Sequence, residues 1–216
     1  MTSKSNAPPE IERNGEAWFQ GVSQPLWVRH LLPLVPFNYY LELGCFAGDS
    51  FFWALDNLLA DDGCAVGVDP WIPSRRWENQ VEWMQTARDL CHTRLDEWSQ
   101  DATRRKKKLV QLRECKSEEY LLEACHKGYP QFDLIYVDAC HLAVEAMTDL
   151  VLSWRLLKPG GILVCDDLNL VRGKRLSRGA LVGEAWPCFL TCFGHKCSIL
   201  YDSPAQSAIV KLPFNE

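Results

Sequence analysis

The stretch YYLELGCFAGDS (Tyr39–Ser50), followed a helix-length later by AVGVDP (Ala65–Pro70), decides how this chain folds. An apolar strand ending in an acid runs into a Gly-x-x-x-Gly turn, an amphipathic helix over about 50–59, and a second strand ending in a second acid. That is a βαβ layout in which a nucleoside-bearing ligand sits at the carboxyl ends of the strands. Gly44 and Gly48 permit backbone conformations and close approach that a Cβ blocks. The turn opens a helix N-terminus, whose free N–H groups favour an anion. Asp69 stands where an acid accepts hydrogen bonds from the vicinal hydroxyls of a ribose. The G-x-G-x-x-G fingerprint of dinucleotide sites is not met, because the residue two after Gly44 is Phe46. A strand–turn–helix with no ligand is the competing reading.

Composition narrows the class. With 216 residues the chain suits one domain with a full core, and 47% hydrophobic and 24% charged residues read as soluble and globular. A net charge of -5 argues against a nucleic-acid partner, whose binding rests on phosphate neutralisation. No apolar run approaches a membrane span and the start MTSKSNAPPE lacks a signal-peptide core, so a cytoplasmic location and no membrane partner are expected. Ten cysteines fall mostly in or beside strands and turns, where Cys acts as a small hydrophobe, and are read as reduced. Cys188, Cys192, His195 and Cys197 lack a C-x-x-C knuckle and make a weak zinc set.

Along the chain, residues 1–9 read as a disordered tail and residues 10–216 as one domain. Helices are expected over 10–37, with Pro25 opening the second of two short ones. The remainder alternates strand and helix, which predicts an α/β, doubly wound, mostly parallel seven-stranded sheet with an antiparallel C-terminal edge. Its strands are expected at Tyr39–Leu43, Cys64–Val68, Leu109–Leu112, Phe132–Asp138, Gly161–Asp166, Lys196–Tyr201 and Ser207–Leu212. A helical insertion, 70–108, carries an apolar stripe from Trp77 to Trp98. That stripe packs on the sheet, or Trp71, Trp77 and Trp83 build a substrate-facing lid. The basic run Arg104–Lys108 reads as a solvated helix end.

Two strand ends carry candidate chemistry. VDACH places Asp138 three residues before His141, and VCDDL ends in Asp166-Asp167. In an open α/β sheet both fall on the rim that holds the Gly44–Gly48 turn. Three carboxylates gathered there repel one another, and a divalent cation with oxygen ligands relieves that repulsion. A solvated loop without metal is the alternative for the Asp pair, and helix capping the alternative for His141.

Glu42-x-Gly44-x-x-x-Gly48-x-Ser50 resembles the first motif of class I S-adenosylmethionine-dependent methyltransferases, in the form found in small-molecule O-methyltransferases. With FDLIYVDACH…LLKPGGILVCDDL, the chain is similar over about 38–212 to the macrocin, caffeoyl-CoA and catechol types and to a broad methyltransferase family with a strand-four D-x-x-H. The resemblance implies a Rossmann-like fold and S-adenosyl-L-methionine as cofactor. It implies that Glu42 lies near the cofactor ammonium, that the turn around Ala47–Ser50 takes the carboxylate, and that Gly44, Cys45, Phe46, Ala47, Gly48 and Ser50 bind the cofactor. Asp69 with Pro70 meets the ribose, Ser117 the adenine, and Asp138 lies at the reacting end. It further implies Mg²⁺ or another divalent cation on Asp138, Asp166 and Asp167. His141 stands where catechol-type enzymes carry a lysine base, and an unperturbed histidine (pKa about 6.5) can take a hydroxyl proton at neutral pH. Ser117 also reads as a helix N-cap.

The acceptor expected is a small-molecule hydroxyl. Arg172, Lys174, Arg175 and Arg178, in the loop Leu168–Gly179, either meet an anionic acceptor or merely balance nearby acids. Two alternatives stay open: a metal-independent methyltransferase with His141 as base, and a cofactor-binding protein without turnover.

Overall fold

The structure is a computed structural model and describes residues 18–73, 81–129, 131–171 and 181–213. The expected tail, Trp77 and the four cations of the Leu168–Gly179 loop lie outside these residues.

Alternating apolar runs form seven strands: β1 (Phe37–Leu43), β2 (Leu59–Val68), β3 (Leu109–Arg113), β4 (Phe132–Val137), β5 (Leu157–Cys165), β6 (Cys197–Asp202) and β7 (Ser207–Lys211). They make one sheet in the order β3-β2-β1-β4-β5-β7-β6. The first five pair in parallel, and β7 runs antiparallel to both β5 and β6. This is the Rossmann-like α/β architecture expected.

β2 and β5 begin earlier than hydrophobicity indicates. Their first halves contain Asp61-Asp62-Gly63 and Lys158-Pro159-Gly160-Gly161, compositions that read as turns. The sheet absorbs them as irregularities: Phe37 pairs with Leu59 but Tyr39 already with Cys64, and Phe132 with Leu157 but Leu134 with Ile162.

Period-two alternation sorts side chains onto two faces. On β4, Leu134 and Tyr136 face one way, and Ile135 and Val137 the other. The first face is covered by α1 (Gln24–His30), α2 (Asp49–Asn57) and α3 (Val81–Gln100), through Trp27, Phe51, Leu55, Cys91 and Trp98. A short α4 (Ala102–Arg105) follows α3. The second face is covered by α5 (Ser117–Lys127), α6 (Ala143–Leu156) and α7 (Val182–Phe193), through Leu121, Leu150 and Phe189. Pro25 lies in the first turn of α1, as expected. Lys108, expected in solvent, is instead buried, with its ammonium on the Leu55 carbonyl. Among the described residues no helix is long and apolar enough to cross a membrane.

The sheet winds outward in both directions from the β1–β4 pair, so the switch point lies between them. The residue after each strand keeps a bond to its neighbour: the Gly44 amide to Val68, Asp69 to Arg113, Asp138 to Leu43 and Asp166 to Val137, at 2.8–3.1 Å. These bonds hold the glycine turn and three acids level along one rim. At the switch point Gly44 has φ +90°, and a Cβ there would overlap the Asp138 carbonyl oxygen and the Ala139 Cα. Gly44→Ala should therefore cost about 3–5 kcal/mol, from strain at positive φ plus the backbone clash. Urea unfolding measures it, and a loss below about 1 kcal/mol would show that the crossing gives way easily.

Candidate active site

The site starts from two strand-end pairs. Tyr40 and Glu42 on β1, and Tyr136 and Asp138 at the end of β4, lie two residues apart and so share the α1–α3 face. Glu42 pairs across the strands with Tyr136. The Tyr40 hydroxyl donates to Glu42 Oε2, and Ser50 Oγ, in the first turn of α2, donates to Oε1 at 2.6 Å. Glu42 is fully buried, and burial pushes its carboxyl up to about 8 against the lowering effect of these two hydroxyls, with Asp69 and Asp49 pushing the same way. A cationic group beside Glu42 would draw off that proton and take its place.

Asp69 is also buried, and burial raises its carboxyl while the backbone amides it accepts from hold it down. Its Oδ2 accepts from the Phe46 amide at 2.8 Å and its Oδ1 from the Trp71 amide at 2.7 Å. Each oxygen keeps a further lone pair, so ribose hydroxyls can still be accepted. Within the turn Cys45 and Ala47 are buried, Phe46 is half-buried and Gly48 has φ +89°. Pro70 is half-buried between Asp69 and Trp71.

The insertion helix α3 braces this turn. Arg94 Nη1 donates to the Ala47 carbonyl at 2.9 Å and to Asp49 Oδ1 at 2.5 Å. One turn further, Trp98 Nε1 donates to Asp56 near the end of α2. The two helices therefore run in the same direction, and α3 from Val81 to Thr93 extends about 20 Å beyond the start of α2, at 1.5 Å per residue. From that extension Trp83 packs on Phe46 (centroids 4.5 Å apart) and His92 on Trp71 (5.4 Å). Arg88 grips Glu114 through Nε and Nη2 at 2.8 and 2.7 Å, and His92 approaches the same carboxylate at 3.1 Å. Cys91 and Trp98 thus pack α3 into the core, while Trp71 and Trp83 lie beside the glycine turn and Trp77 falls outside the described residues.

Ser117 is the first residue of α5; the cap is Lys116, one residue earlier than expected. Its hydroxyl donates to Asp149 Oδ2 at 2.9 Å, and burial lifts that carboxyl to about 7. Ser117 thus sits by the rim but its hydroxyl is engaged with α6.

The three expected metal acids divide. Asp167 has φ +60°, and its amide donates to Asp166 Oδ1 at 2.7 Å. The reversal sends neighbouring carboxylates opposite ways. Asp166 turns inward, where Ser23 Oγ (3.0 Å), Gln206 Nε2 (2.7 Å) and the Tyr136 hydroxyl all meet its Oδ2. Asp167 turns outward and pairs with His141 Nε2 at 2.7 Å. Among the described residues, the group able to converge on one ion is therefore Asp138, His141 and Asp167, with one ligand atom from each lying within 4.8 Å of the others. Asp166, placed in the metal set by the sequence reading, has all its donors inside the protein and stands behind Asp138 through Tyr136, whose hydroxyl lies 3.0 Å from Asp138 Oδ2. Burial raises the Asp138 carboxyl most, and Asp166 and Asp167 raise it further. A small cleft lined by Asp138, His141, Asp166, Asp167, Cys140 and Val182 opens at this point. Among the described residues, Cys188, Cys192, His195 and Cys197 form no such convergent group.

Tyr40, Tyr136, Arg94 and Gln206 do not figure in the sequence reading, and Trp71 figures there only as a lid residue. Tyr-x-Glu and Tyr-x-Asp at strand ends carried a readable period-two signal for the first pair. Arg94 and Gln206 carried none, because their partners are distant in sequence.

The profile of a family described as a methyltransferase domain matches residues 41–168. No curated protein matches the sequence. Among solved structures, the O-methyltransferase from Bacillus cereus, in complex with SAH, is 15% identical with a TM-score of 0.59, over 96% of this chain and 94% of its own. The N-methyltransferase NodS from Bradyrhizobium japonicum WM9, with S-adenosyl-l-homocysteine, is 15% identical with a TM-score of 0.59, over 95% and 92%. The O-methyltransferase TomG from Streptomyces achromogenes, in complex with SAM, is 16% identical with a TM-score of 0.56, over 96% and 92%. These likenesses establish the shared fold, which serves both oxygen and nitrogen acceptors.

Because the Glu42 carboxyl is raised from 4.5 to about 8, the folded state holds a proton that the unfolded state has lost between those values. Stability from this group is therefore greatest below the unfolded value and falls as pH rises through this window. The ligand-free protein should melt at lower temperature at pH 8.5 than at pH 6, and Glu42→Gln should flatten the profile. An unaltered slope in the variant would assign the pH dependence to other groups.

Proposed function

Since this chain belongs to the methyltransferase-domain family and is an S-adenosylmethionine-dependent methyltransferase, we propose that it methylates a hydroxyl oxygen of a small molecule at a centre formed by Asp138, His141 and Asp167. The observation that carries this reading is the convergence of two carboxylates and an imidazole on the rim beside the glycine turn. S-adenosylmethionine supplies a methyl group already activated on a sulfonium, which leaves the protein the task of alignment.

The residues suit that cofactor. The buried Glu42 faces a cationic ammonium, the Ala47–Ser50 turn presents helix N–H groups to a carboxylate, and Asp69 retains lone pairs for ribose hydroxyls. The rim acids Glu42, Asp69 and Asp138 favour a ligand with a positive sulfonium. Ser117, with Glu114, borders the adenine end.

Asp138, His141 and Asp167 would hold a divalent cation. A set of two carboxylates and one imidazole suits an ion such as Mn²⁺ better than Mg²⁺, which prefers oxygen ligands throughout. When bound, such an ion orients the acceptor and lowers the pKa of its hydroxyl. The second reading uses no metal. It is favoured by the 2.7 Å contact of His141 Nε2 with Asp167, which leaves Nδ1 to take the acceptor proton. His141 Nε2 cannot at once ligate a metal and hold this pair, so in the metal reading the imidazole would turn Nδ1 to the ion or give up Asp167.

S-adenosylhomocysteine should bind with micromolar affinity in calorimetry, and no binding would overturn the cofactor reading. With a hydroxylated acceptor, EDTA should abolish turnover and Mn²⁺ restore it better than Mg²⁺. Full turnover in EDTA selects the His141 base instead. His141→Ala and Asp167→Asn should each lower kcat about 10²–10⁴-fold under either reading. Asp166→Ala should act on the fold, lowering stability by about 3 kcal/mol through the donors it strands.

A further inference from the structure

We infer that Trp71 is a positioning residue for the cofactor turn, holding the Phe46 peptide in the conformation that aims the Ala47, Asp49 and Ser50 amides, the Gly48 amide being bonded to the Cys45 carbonyl. The inference rests on reading Glu42–Ser50 as the cofactor site.

Phe46 and Trp71 have φ of 47° and 44°, in the left-handed region that residues with a Cβ rarely adopt. Such strain persists only where the surroundings over-determine it. Here a single carboxylate ties both residues: Asp69 Oδ2 accepts from the Phe46 amide and Oδ1 from the Trp71 amide. The Trp71 indole N–H then closes the ring, donating to the Phe46 carbonyl at 2.8 Å. Phe46 is thus gripped at its N–H by Asp69 and at its C=O by Trp71. The Phe46 carbonyl belongs to the peptide that leads into Ala47, so its orientation sets where the following amides point.

The clasp is backed on both sides by α3, with Trp83 against Phe46 and His92 against Trp71. Trp71 itself is 5% exposed, which by itself would make it core filling. The indole bond distinguishes the roles, because core filling needs the ring and not its N–H. Without that bond Phe46 can relax to negative φ, and only the fraction of molecules that keeps the turn binds cofactor.

Trp71→Phe keeps an aromatic ring and removes the donor. Calorimetry with S-adenosylhomocysteine should show the dissociation constant raised about five- to tenfold, as expected for one lost hydrogen bond that pre-organises a site. KM for S-adenosylmethionine should rise in parallel while kcat at saturation stays within about twofold. A lower melting temperature with unchanged affinity would make Trp71 structural only and overturn the inference. Amide hydrogen exchange on the wild-type protein provides a test that does not depend on the variant folding. The Phe46 and Trp71 amides should be protected before ligand is added; protection acquired only with S-adenosylhomocysteine would likewise overturn it. Wild-type protein that binds no S-adenosylhomocysteine would instead remove the cofactor reading on which the inference rests.

Discussion

Among the described glycines, none stands closer to another backbone than Gly44 does to Asp138 at the β1–β4 switch point. No side chain fits between them, and the crossing brings the glycine turn and the acid after β4 together. With each post-strand residue still bonded to its neighbour, the rim becomes a level shelf on which Gly44, Asp69, Asp138 and Asp166 stand side by side. The functional geometry follows from sheet register, and the helices serve to hold that register in place.

The shelf gathers carboxyl groups in a poorly solvated place. Tyrosines two residues before Glu42 and Asp138 supply hydroxyls from the strands themselves, yet burial still raises both carboxyls. A protein that gathers unrelieved acids in this way is set up to receive positive charge. Under the proposed function, a sulfonium-bearing cofactor at Glu42 and Asp69 and a divalent ion at Asp138 and Asp167 would answer the same electrostatic need at two points of one rim.

Adjacent acids of the same type meet different fates. The left-handed turn at Asp167 separates its carboxylate from that of Asp166, one facing His141 and the other bonded to Ser23, Tyr136 and Gln206 at the edge of the same cleft. Gln206 also accepts from Trp27 and Tyr201 and thereby joins α1 to the β6–β7 end of the sheet. The acid nearest the centre in sequence terms thus belongs to the scaffold behind it. In the same way α3, an insertion between β2 and β3, supplies through Arg94, Trp83 and His92 much of the support for a turn defined forty residues earlier.

Local pattern determined the elements and their order: period-two runs ending in acids, glycines at the turn and a helix after it are properties of neighbouring residues, and the seven strands follow from them. Glu42, Asp69, Asp138 and His141 were legible for the same reason, since strand ends in a parallel sheet share one rim. Turn-like Asp-Asp-Gly and Pro-Gly-Gly segments concealed the starts of β2 and β5, because their composition answers to the bulged pairing and not to burial. Only the tertiary structure decided which of Asp166 and Asp167 faces the site, since one backbone torsion sets it and both residues are aspartate. It alone joined Arg94 to Ala47, Trp71 to Phe46 and Gln206 to Asp166, because hydrogen bonds between residues far apart in the chain leave no periodic trace in sequence.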